Sequence, residues 1–244
     1  AEVVTAGVME IKTGKILAMS TYPSFNPNER NISTFNNYFL EGTIECGSVF
    51  KPFIYADSIE EGKYDHNAYY NSGSYNVYYG NKLVATIKDH NGGQGWGTIT
   101  YDQGLYHSSN VAICNLLDQG YVTKDVLTEK LNDLGFFQGD TMDGLTCSSS
   151  INAYTRKNAG RLEYLTTGFG QGSTVTPYQL LKAYSVFGND GKTVQPHIVD
   201  KVVNPETNKV VYQATPKYSK QIFSTNTISQ VKDLMLGVIE DEQG

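Results

Sequence analysis

Ser48 and Lys51 stand three residues apart in the stretch Glu45-Cys46-Gly47-Ser48-Val49-Phe50-Lys51-Pro52-Phe53. A hydroxyl with an amine within reach can serve as nucleophile and base in acyl transfer. Pro52 limits where the surrounding helix can begin. In the first turn a proline removes an N–H that would lack a partner anyway, whereas deeper inside it costs about 3 kcal/mol. The helix through Phe53, Ile54 and Ala56 towards Gly62 is therefore expected to start near Gly47 or Ser48. Ser48 then lies among unpaired N–H donors at a helix N-terminus, with Lys51 one turn on along the same face. Such donors can stabilise an oxyanion. The spacing alone carries little weight, because Ser229 and Lys232 repeat it on what reads as an ordinary polar helix face.

A second candidate is Ser108-Ser109-Asn110. Ser-x-Asn also occurs at Ser24–Asn26, Ser74–Asn76, Ser150–Asn152 and Ser224–Asn226, where a turn or cap is the plain reading. Ser108 and Asn110 differ in lying at a short junction between two helical stretches, which can aim two polar side chains into a cleft. His107 adjoins Ser108 but has no evident acidic partner to orient it. His66, His90 and His197 lack metal-ligand spacing. No metal and no cofactor are expected.

The elements that must position these residues follow the chain. Val3–Met9 and Ile16–Ser20 read as strands of a hairpin turning at Lys12-Thr13-Gly14-Lys15. Two prolines, Pro23 and Pro27, exclude regular structure after it. From Asp65 to Gly97 the chain is rich in Tyr, Asn, Gly and Ser, with short strands expected near Tyr75–Tyr79 and Leu83–Ile87. Ile99–Ser108 and Val111–Leu117 look helical. Thr123–Leu134 is an amphipathic helix capped by Thr123. Cys147–Arg161 reads as loop, and Gly168-Phe169-Gly170-Gln171-Gly172 as a turn. Thr176, Pro177 and Gln179 form the start of a helix whose apolar face is Leu180, Leu181, Tyr184 and Phe187. Strands at Ile198–Val203 and Val210–Tyr212 and a helix from about Thr227 to Glu240 complete the chain. Strands cluster at the ends and helices in the middle. The expected fold is α+β, an antiparallel sheet flanked by helices with a mainly helical subdomain, about 63–165, inserted.

Composition bounds the function. The 244 residues suit one large domain or two small ones, with 39% hydrophobic and 18% charged residues. A net charge of −6 and the lack of a basic stripe argue against nucleic acid as a partner. No run of 18 apolar residues could span a membrane. No signal peptide opens the chain, which reads as an excised domain or mature fragment. The three cysteines, Cys46, Cys114 and Cys147, make a disulfide framework unexpected and leave the compartment open. Many of the 18 tyrosines are expected half-buried with their hydroxyls in water. Asn31-Ile32-Ser33 matches a glycosylation sequon, which would mean little if the source is bacterial.

Taken in order, Gly47-Ser48-Val49-Phe50-Lys51-Pro52-Phe53, Ser108-Ser109-Asn110-Val111-Ala112, and Gly170-Gln171-Gly172 with Val175-Thr176-Pro177 resemble the penicillin-binding protein transpeptidase domain. The start, Thr13-Gly14-Lys15-Ile16-Leu17-Ala18-Met19 and then Tyr22-Pro23-Ser24-Phe25-Asn26-Pro27-Asn28 with Arg30-Asn31, is similar to the class B, monofunctional enzymes. The resemblance covers nearly the whole chain, 1–244. It implies a peptidoglycan D,D-transpeptidase in which Ser48 attacks the penultimate D-alanine of a stem peptide. By the same resemblance Lys51 takes the Ser48 proton and Ser108 relays it. Asn110 holds Lys51 and binds the substrate backbone, and the Ser48 N–H gives half of an oxyanion hole. Implied partners are stem peptides ending in D-Ala-D-Ala, β-lactam antibiotics that acylate Ser48, and a glycosyltransferase of a cell-wall complex. The implied location is the extracytoplasmic face of the bacterial membrane, with an N-terminal anchor not present in the sequence.

Two departures accompany the resemblance. The family's Lys-Thr/Ser-Gly motif is missing: Lys12-Thr13-Gly14 sits in the first hairpin, and Gly191-Lys192-Thr193-Val194 lacks the glycine. The motif is expected shortly after residue 244, so the C-terminal strands and the second oxyanion donor are expected to be missing and the fragment alone inactive or weakly active. Cys46 stands where the family usually has proline, and reads as a buried small apolar residue rather than a reactive thiol. On the same fold the alternatives are a β-lactam sensor or a serine β-lactamase, the latter without an obvious base for deacylation. A non-catalytic cell-surface interaction module, suggested by the tyrosine-rich 65–101 region, is the alternative from another class.

Overall fold

The computed structural model describes residues 3–24, 26, 28–29 and 34–240. Strands β1 (Val4–Met9) and β2 (Ile16–Tyr22) pair antiparallel across the expected hairpin. Gly14 turns it with φ +80°, and a Cβ there would sit 2.4 Å from the Gln195 carbonyl oxygen, so glycine is required on two counts. Phe25, Pro27, Arg30 and the sequon Asn31-Ile32-Ser33 lie outside the described residues. Helix α1 (Tyr38–Glu41) is capped by Asn37, whose Oδ1 accepts the Phe39 N–H at 3.1 Å. A 3-10 turn, Gly47–Phe50, leads directly into α2 (Lys51–Glu60).

The Tyr/Gly-rich region is ordered by pairing. Strands β3 (Tyr69–Asn71) and β6 (Thr98–Thr100) clasp the hairpin of β4 (Ser74–Tyr79) and β5 (Lys82–Lys88) between them in sequence. Thr100 and Gln103 then form a capping box at the start of α3 (Tyr101–Tyr106), followed by α4 (Asn110–Asp118) and α5 (Lys124–Asp133). Strands β7 (Asp140–Met142) and β8 (Leu145–Cys147) form a further hairpin, and α6 (Arg161–Gly168) precedes the glycine turn. Helix α7 (Pro177–Gly188) has the expected box, with Gln179 N–H on Thr176 Oγ1 at 3.1 Å and Thr176 N–H on Gln179 Oε1 at 3.0 Å. Strands β9 (Lys201–Val203) and β10 (Val210–Gln213) pair, and α8 (Thr225–Glu240) follows.

All strand pairs are antiparallel, but among the described residues they form five two-stranded ladders rather than one sheet. Sequence reasoning omits the β7–β8 hairpin and α6. Asp143 (φ +48°) and Gly144 (φ +86°) supply the two left-handed residues of a tight hairpin, but strands of three residues are too short to show alternation. In α6 only Leu165, Thr167 and Gly168 are buried, too few to mark a helical stripe. Ile99, expected to be helical, pairs with Tyr70 in a ladder.

The chain divides into two compact units. The first comprises Ala1–Ile44, Leu131–Ser150 and Val175–Ile222. Its core gathers Ile16, Phe39, Leu40, Met142, Cys147 and Tyr178, with Met9, Met19 and Leu181 packed against it. Helix α7 buries Tyr178, Ala183, Val186 and Phe187; the expected apolar face is rotated, so that Leu180, Leu181 and Tyr184 are only half-buried. These three line an open apolar groove with Gly7 and Phe39.

The second unit comprises Glu45–Lys130, Ile151–Thr174 and Phe223–Gly244, and so begins before the expected insert of about 63–165 and takes in α8. Helix α2 packs on α4 and α8, α3 on α8, and α4 on α6. Phe53, Ile54, Tyr55, Ala112, Ile113 and Val231 are fully buried there. Burying each large apolar side chain stabilises the unit by about 1.5–3 kcal/mol before chain entropy is counted. Several tyrosines depart from the half-buried expectation: Tyr55, Tyr101, Tyr154 and Tyr178 are among the largest fully buried side chains. A buried phenol is tolerated when its hydroxyl is bonded, as Tyr55 Oη is to the Tyr101 carbonyl at 2.8 Å and Tyr178 Oη to Asp140 at 2.7 Å.

Candidate active site

The helical start at Gly47 agrees with the constraint set by Pro52, although its first turn is 3-10 rather than α. Gly47 has φ +63° and donates its N–H to the Gly170 carbonyl at 3.0 Å. Gly170 lies so close that a Cβ on it would sit 2.1 Å from the Gly47 carbonyl oxygen. Glu45 Oε1 accepts the Gly172 N–H at 2.9 Å. The glycine-rich turn thus fixes the backbone that presents Ser48. Ser48 is exposed, and its carbonyl accepts the Lys51 N–H, which closes the turn. Among the described residues the Ser48 N–H has no backbone acceptor outside its own helix. It lies at the positive, N-terminal end of the helical stretch.

Lys51 is 1% exposed. Its Nζ donates to the Ser108 carbonyl oxygen and to Ser108 Oγ, the latter at 3.0 Å. Among the described residues no side-chain hydrogen bond joins Ser48 to Lys51; the amine rests on Ser108. Burial pulls the Lys51 pKa down to about 8, against the opposing pull of the Asp89 charge. Ser108 itself has φ +53°, uncommon for a residue with a Cβ, and its N–H donates to the Leu105 carbonyl at 2.9 Å. That conformation turns both Ser108 oxygens to Lys51.

Asn110, expected to hold Lys51, instead donates its Nδ2 to the Lys88 carbonyl at 3.0 Å. As the first residue of α4 it is drawn towards the end of β5. Asp89, which follows β5, is the residue that sequence reasoning overlooks. It is 2% exposed and accepts the Ser109 hydroxyl at 2.9 Å and the Val111 N–H at 3.1 Å on one oxygen, and the Gly73 N–H at 2.7 Å on the other. A lone aspartate at the start of a glycine-rich run gives no signal beyond a turn.

The remaining candidates fall away from the chemistry. His107 is buried and stacks on Trp96 with centroids 4.5 Å apart, and among the described residues no hydrogen bond joins its ring to Ser108. Cys46 is half-buried rather than buried, and burial pushes its thiol up to about 11, which keeps it protonated at neutral pH. Ser229 and Lys232 both stay exposed on α8. Among the described residues no three His, Cys, Asp or Glu side chains converge as metal ligands.

The arrangement can run acyl transfer. An amine of pKa about 8 is neutral in roughly a tenth of molecules at pH 7 and can accept a proton there. Ser108 Oγ bonds that amine and can pass a proton onwards, and the Ser48 N–H is available to a developing oxyanion.

The comparisons with known proteins agree in the family and the fold. Residues 4–244 match the model of the penicillin-binding protein transpeptidase domain. The chain is 30% identical over 245 residues to stage V sporulation protein D of Bacillus subtilis (strain 168), covering 98% of this chain and 36% of that protein. It is 26% identical to the peptidoglycan D,D-transpeptidase FtsI of Escherichia coli (strain K12), covering 87% of this chain and 34% of that one. Penicillin-binding protein 2X from Streptococcus thermophilus superposes with a TM-score of 0.79 at 26% identity, over 96% of this chain and 34% of that one. The transpeptidase domain of Burkholderia pseudomallei penicillin-binding protein 3 gives 0.76 at 21% identity, over 99% of this chain and 63% of that one. The chain thus spans about a third of the length of these two curated relatives. With the motif order, the fold and the family match in agreement, the chain belongs to the penicillin-binding protein transpeptidase domain family.

Proposed function

We propose that this chain is the catalytic domain of a class B peptidoglycan D,D-transpeptidase. The observation that carries the reading is the buried Lys51 amine, lowered to about 8 and hydrogen-bonded to Ser108 one helical turn from an exposed Ser48. Ser48 Oγ attacks the carbonyl carbon of the penultimate D-alanine and gives its proton to neutral Lys51. The Ser48 N–H stabilises the oxyanion. The tetrahedral species collapses as the C–N bond breaks, and the departing D-alanine amine takes the proton from Lys51 through Ser108. The acyl group on Ser48 then passes to the amine of a second stem peptide, whose lost proton returns by the same route. Asn110 Oδ1 accepts from the substrate backbone.

A β-lactam would acylate Ser48 as a mimic of D-Ala-D-Ala. Asp89, the buried carboxylate nearest these groups in the hydrogen-bond network, has both oxygens occupied by Ser109, Val111 and Gly73. Being 2% exposed as well, it is poorly placed to activate water for deacylation, which favours a transpeptidase or a sensor over a β-lactamase. An extracytoplasmic location, anchored outside this sequence, and a glycosyltransferase partner accompany the reading. Among the described residues no helix is long and apolar enough to cross a membrane.

The test is release of D-alanine from a stem pentapeptide by the whole protein, with an acceptor amine present. The reading expects D-alanine and a cross-linked product, both lost in Ser48→Ala. Acylation by β-lactam without D-alanine release would favour the sensor, and rapid β-lactam hydrolysis the β-lactamase.

A further inference from the structure

Three consecutive residues at the end of the β4–β5 hairpin grip the Ser108 turn. The Lys88 carbonyl accepts Asn110 Nδ2 at 3.0 Å, Asp89 accepts the Ser109 hydroxyl at 2.9 Å and the Val111 N–H at 3.1 Å, and His90 Nε2 meets the His107 carbonyl at 3.0 Å. Asp89 is the centre of the grip and is itself tied to the Gly73 N–H at 2.7 Å, where the chain enters β4. Ser109, buried at 1% exposure, spends its hydroxyl on Asp89 and accepts the Ala112 N–H at 3.0 Å, capping α4. Ser108 is thereby held between anchored neighbours in a left-handed conformation that costs roughly 1–2 kcal/mol when unsupported.

We propose that Asp89 is a positioning residue for acyl transfer: through Ser109 and Val111 it holds Ser108 in the backbone conformation that directs both of its oxygens to Lys51. The proposal deepens the transpeptidase reading and rests on it for its kinetic consequence. It gives the Tyr/Gly-rich hairpin a task inside the site, as the arm that carries Asp89. A carboxylate does two things here that a neutral side chain cannot. It accepts three hydrogen bonds at once, and its negative charge holds the proton on Lys51. The other titratable groups coupled to this pair are Cys114 of α4, Tyr55 of α2 and Tyr70 of β3.

Asp89→Asn keeps the shape and removes the charge, while Ser109→Ala keeps the charge and removes one strut. Two readouts are independent of catalysis: the Lys51 Nζ titration by NMR, and hydrogen exchange at the Val111 N–H. Asp89→Asn should move the Lys51 midpoint down by about one pH unit and speed Val111 exchange. Ser109→Ala should speed Val111 exchange with the midpoint nearly unmoved. In acylation by a fluorescent penicillin, Asp89→Asn should lower the plateau rate by about 10²-fold and carry the rising limb to lower pH. Asp89→Glu should restore the limb but not the full rate. An unmoved midpoint together with unchanged Val111 exchange in Asp89→Asn overturns the proposal. If Asp89→Asn does not fold, unchanged Val111 exchange in Ser109→Ala does so. Absence of acylation in the unsubstituted whole protein sinks the transpeptidase reading instead, and leaves both NMR readouts to judge Asp89.

Discussion

Two Ser-x-x-Lys tetrads lie in this chain, both helical and both in the second unit, yet only one is built as chemistry. At Ser48–Lys51 the serine opens a helix and the lysine is 1% exposed, bonded to Ser108 and shifted to about 8. At Ser229–Lys232 both residues lie in the first half of α8, exposed to solvent. The spacing of the side chains is the same. The difference is burial of the amine, the helix start at the hydroxyl, and a third residue to hold the amine in place. Reactivity therefore comes from the surroundings of the motif rather than its spelling.

The largest effect should fall on the tetrads themselves. Ser48→Ala should abolish β-lactam acylation, whereas Ser229→Ala should leave the rate within about twofold, as for an ordinary surface position. Labelling that survives Ser48→Ala and vanishes in Ser229→Ala would invert the comparison. Lys51→Met should lower the acylation rate by about 10²–10⁴-fold, the usual contribution of a positioned base, while Lys232→Met changes little.

The next effect tests what holds the first tetrad in place. Gly170→Ala would bring a Cβ to 2.1 Å from the Gly47 carbonyl oxygen at a residue with φ +76°. The backbone must move, and the acylation rate should fall by about 10²-fold with the thermal midpoint lowered. An active, unshifted Gly170→Ala would show that the glycine turn does not set the Ser48 backbone.

A pH profile separates the lysines further. Burial makes the neutral form of Lys51 accessible, so the acylation rate should rise about tenfold per pH unit below a midpoint of about 8 and level off above it. A flat profile from pH 6 to 9 would contradict a lysine base.

The smallest effect concerns stability. Helix α2 carries a second buried ionisable group, Asp57, 1% exposed and with neither carboxyl oxygen bonded among the described residues. Burial raises its pKa well above the ordinary range, so the folded state prefers the protonated acid. Stability from this group is fully present below the unfolded carboxyl pKa and is lost as pH rises towards the raised folded value. Asp57→Asn should therefore stabilise the protein at pH 7, seen as a higher Tm. The gain should vanish near pH 3. Equal Tm values at pH 7 would mean that Asp57 is charged and partnered.

Much of the site could be read from the sequence because its signals are local. Pro52 limits the helix start, Thr176 and Gln179 announce a cap, and Ser108 and Asn110 sit at a helix junction whatever the tertiary fold. Asp89 could not be read this way, since its role depends on Ser109 and Val111, 20 and 22 residues away. The β3–β6 clasp was hidden for the same reason: two three-residue strands pair across an intervening hairpin, and neither has enough residues to show a period. The rotated face of α7 was misread because Gln179 and Ser185, polar in sequence, are buried by hydrogen bonds to Ser150, Thr176 and Val194. Apolar periodicity does not see residues that enter a core through their polar atoms.

The most direct measurement is the site of the covalent adduct. The whole protein, treated with a fluorescent penicillin and digested, should carry the label on the peptide containing Ser48 and none on the peptide containing Ser229. A label on any other residue, or none on a folded protein at pH 8, would contradict the assignment of Ser48 as nucleophile.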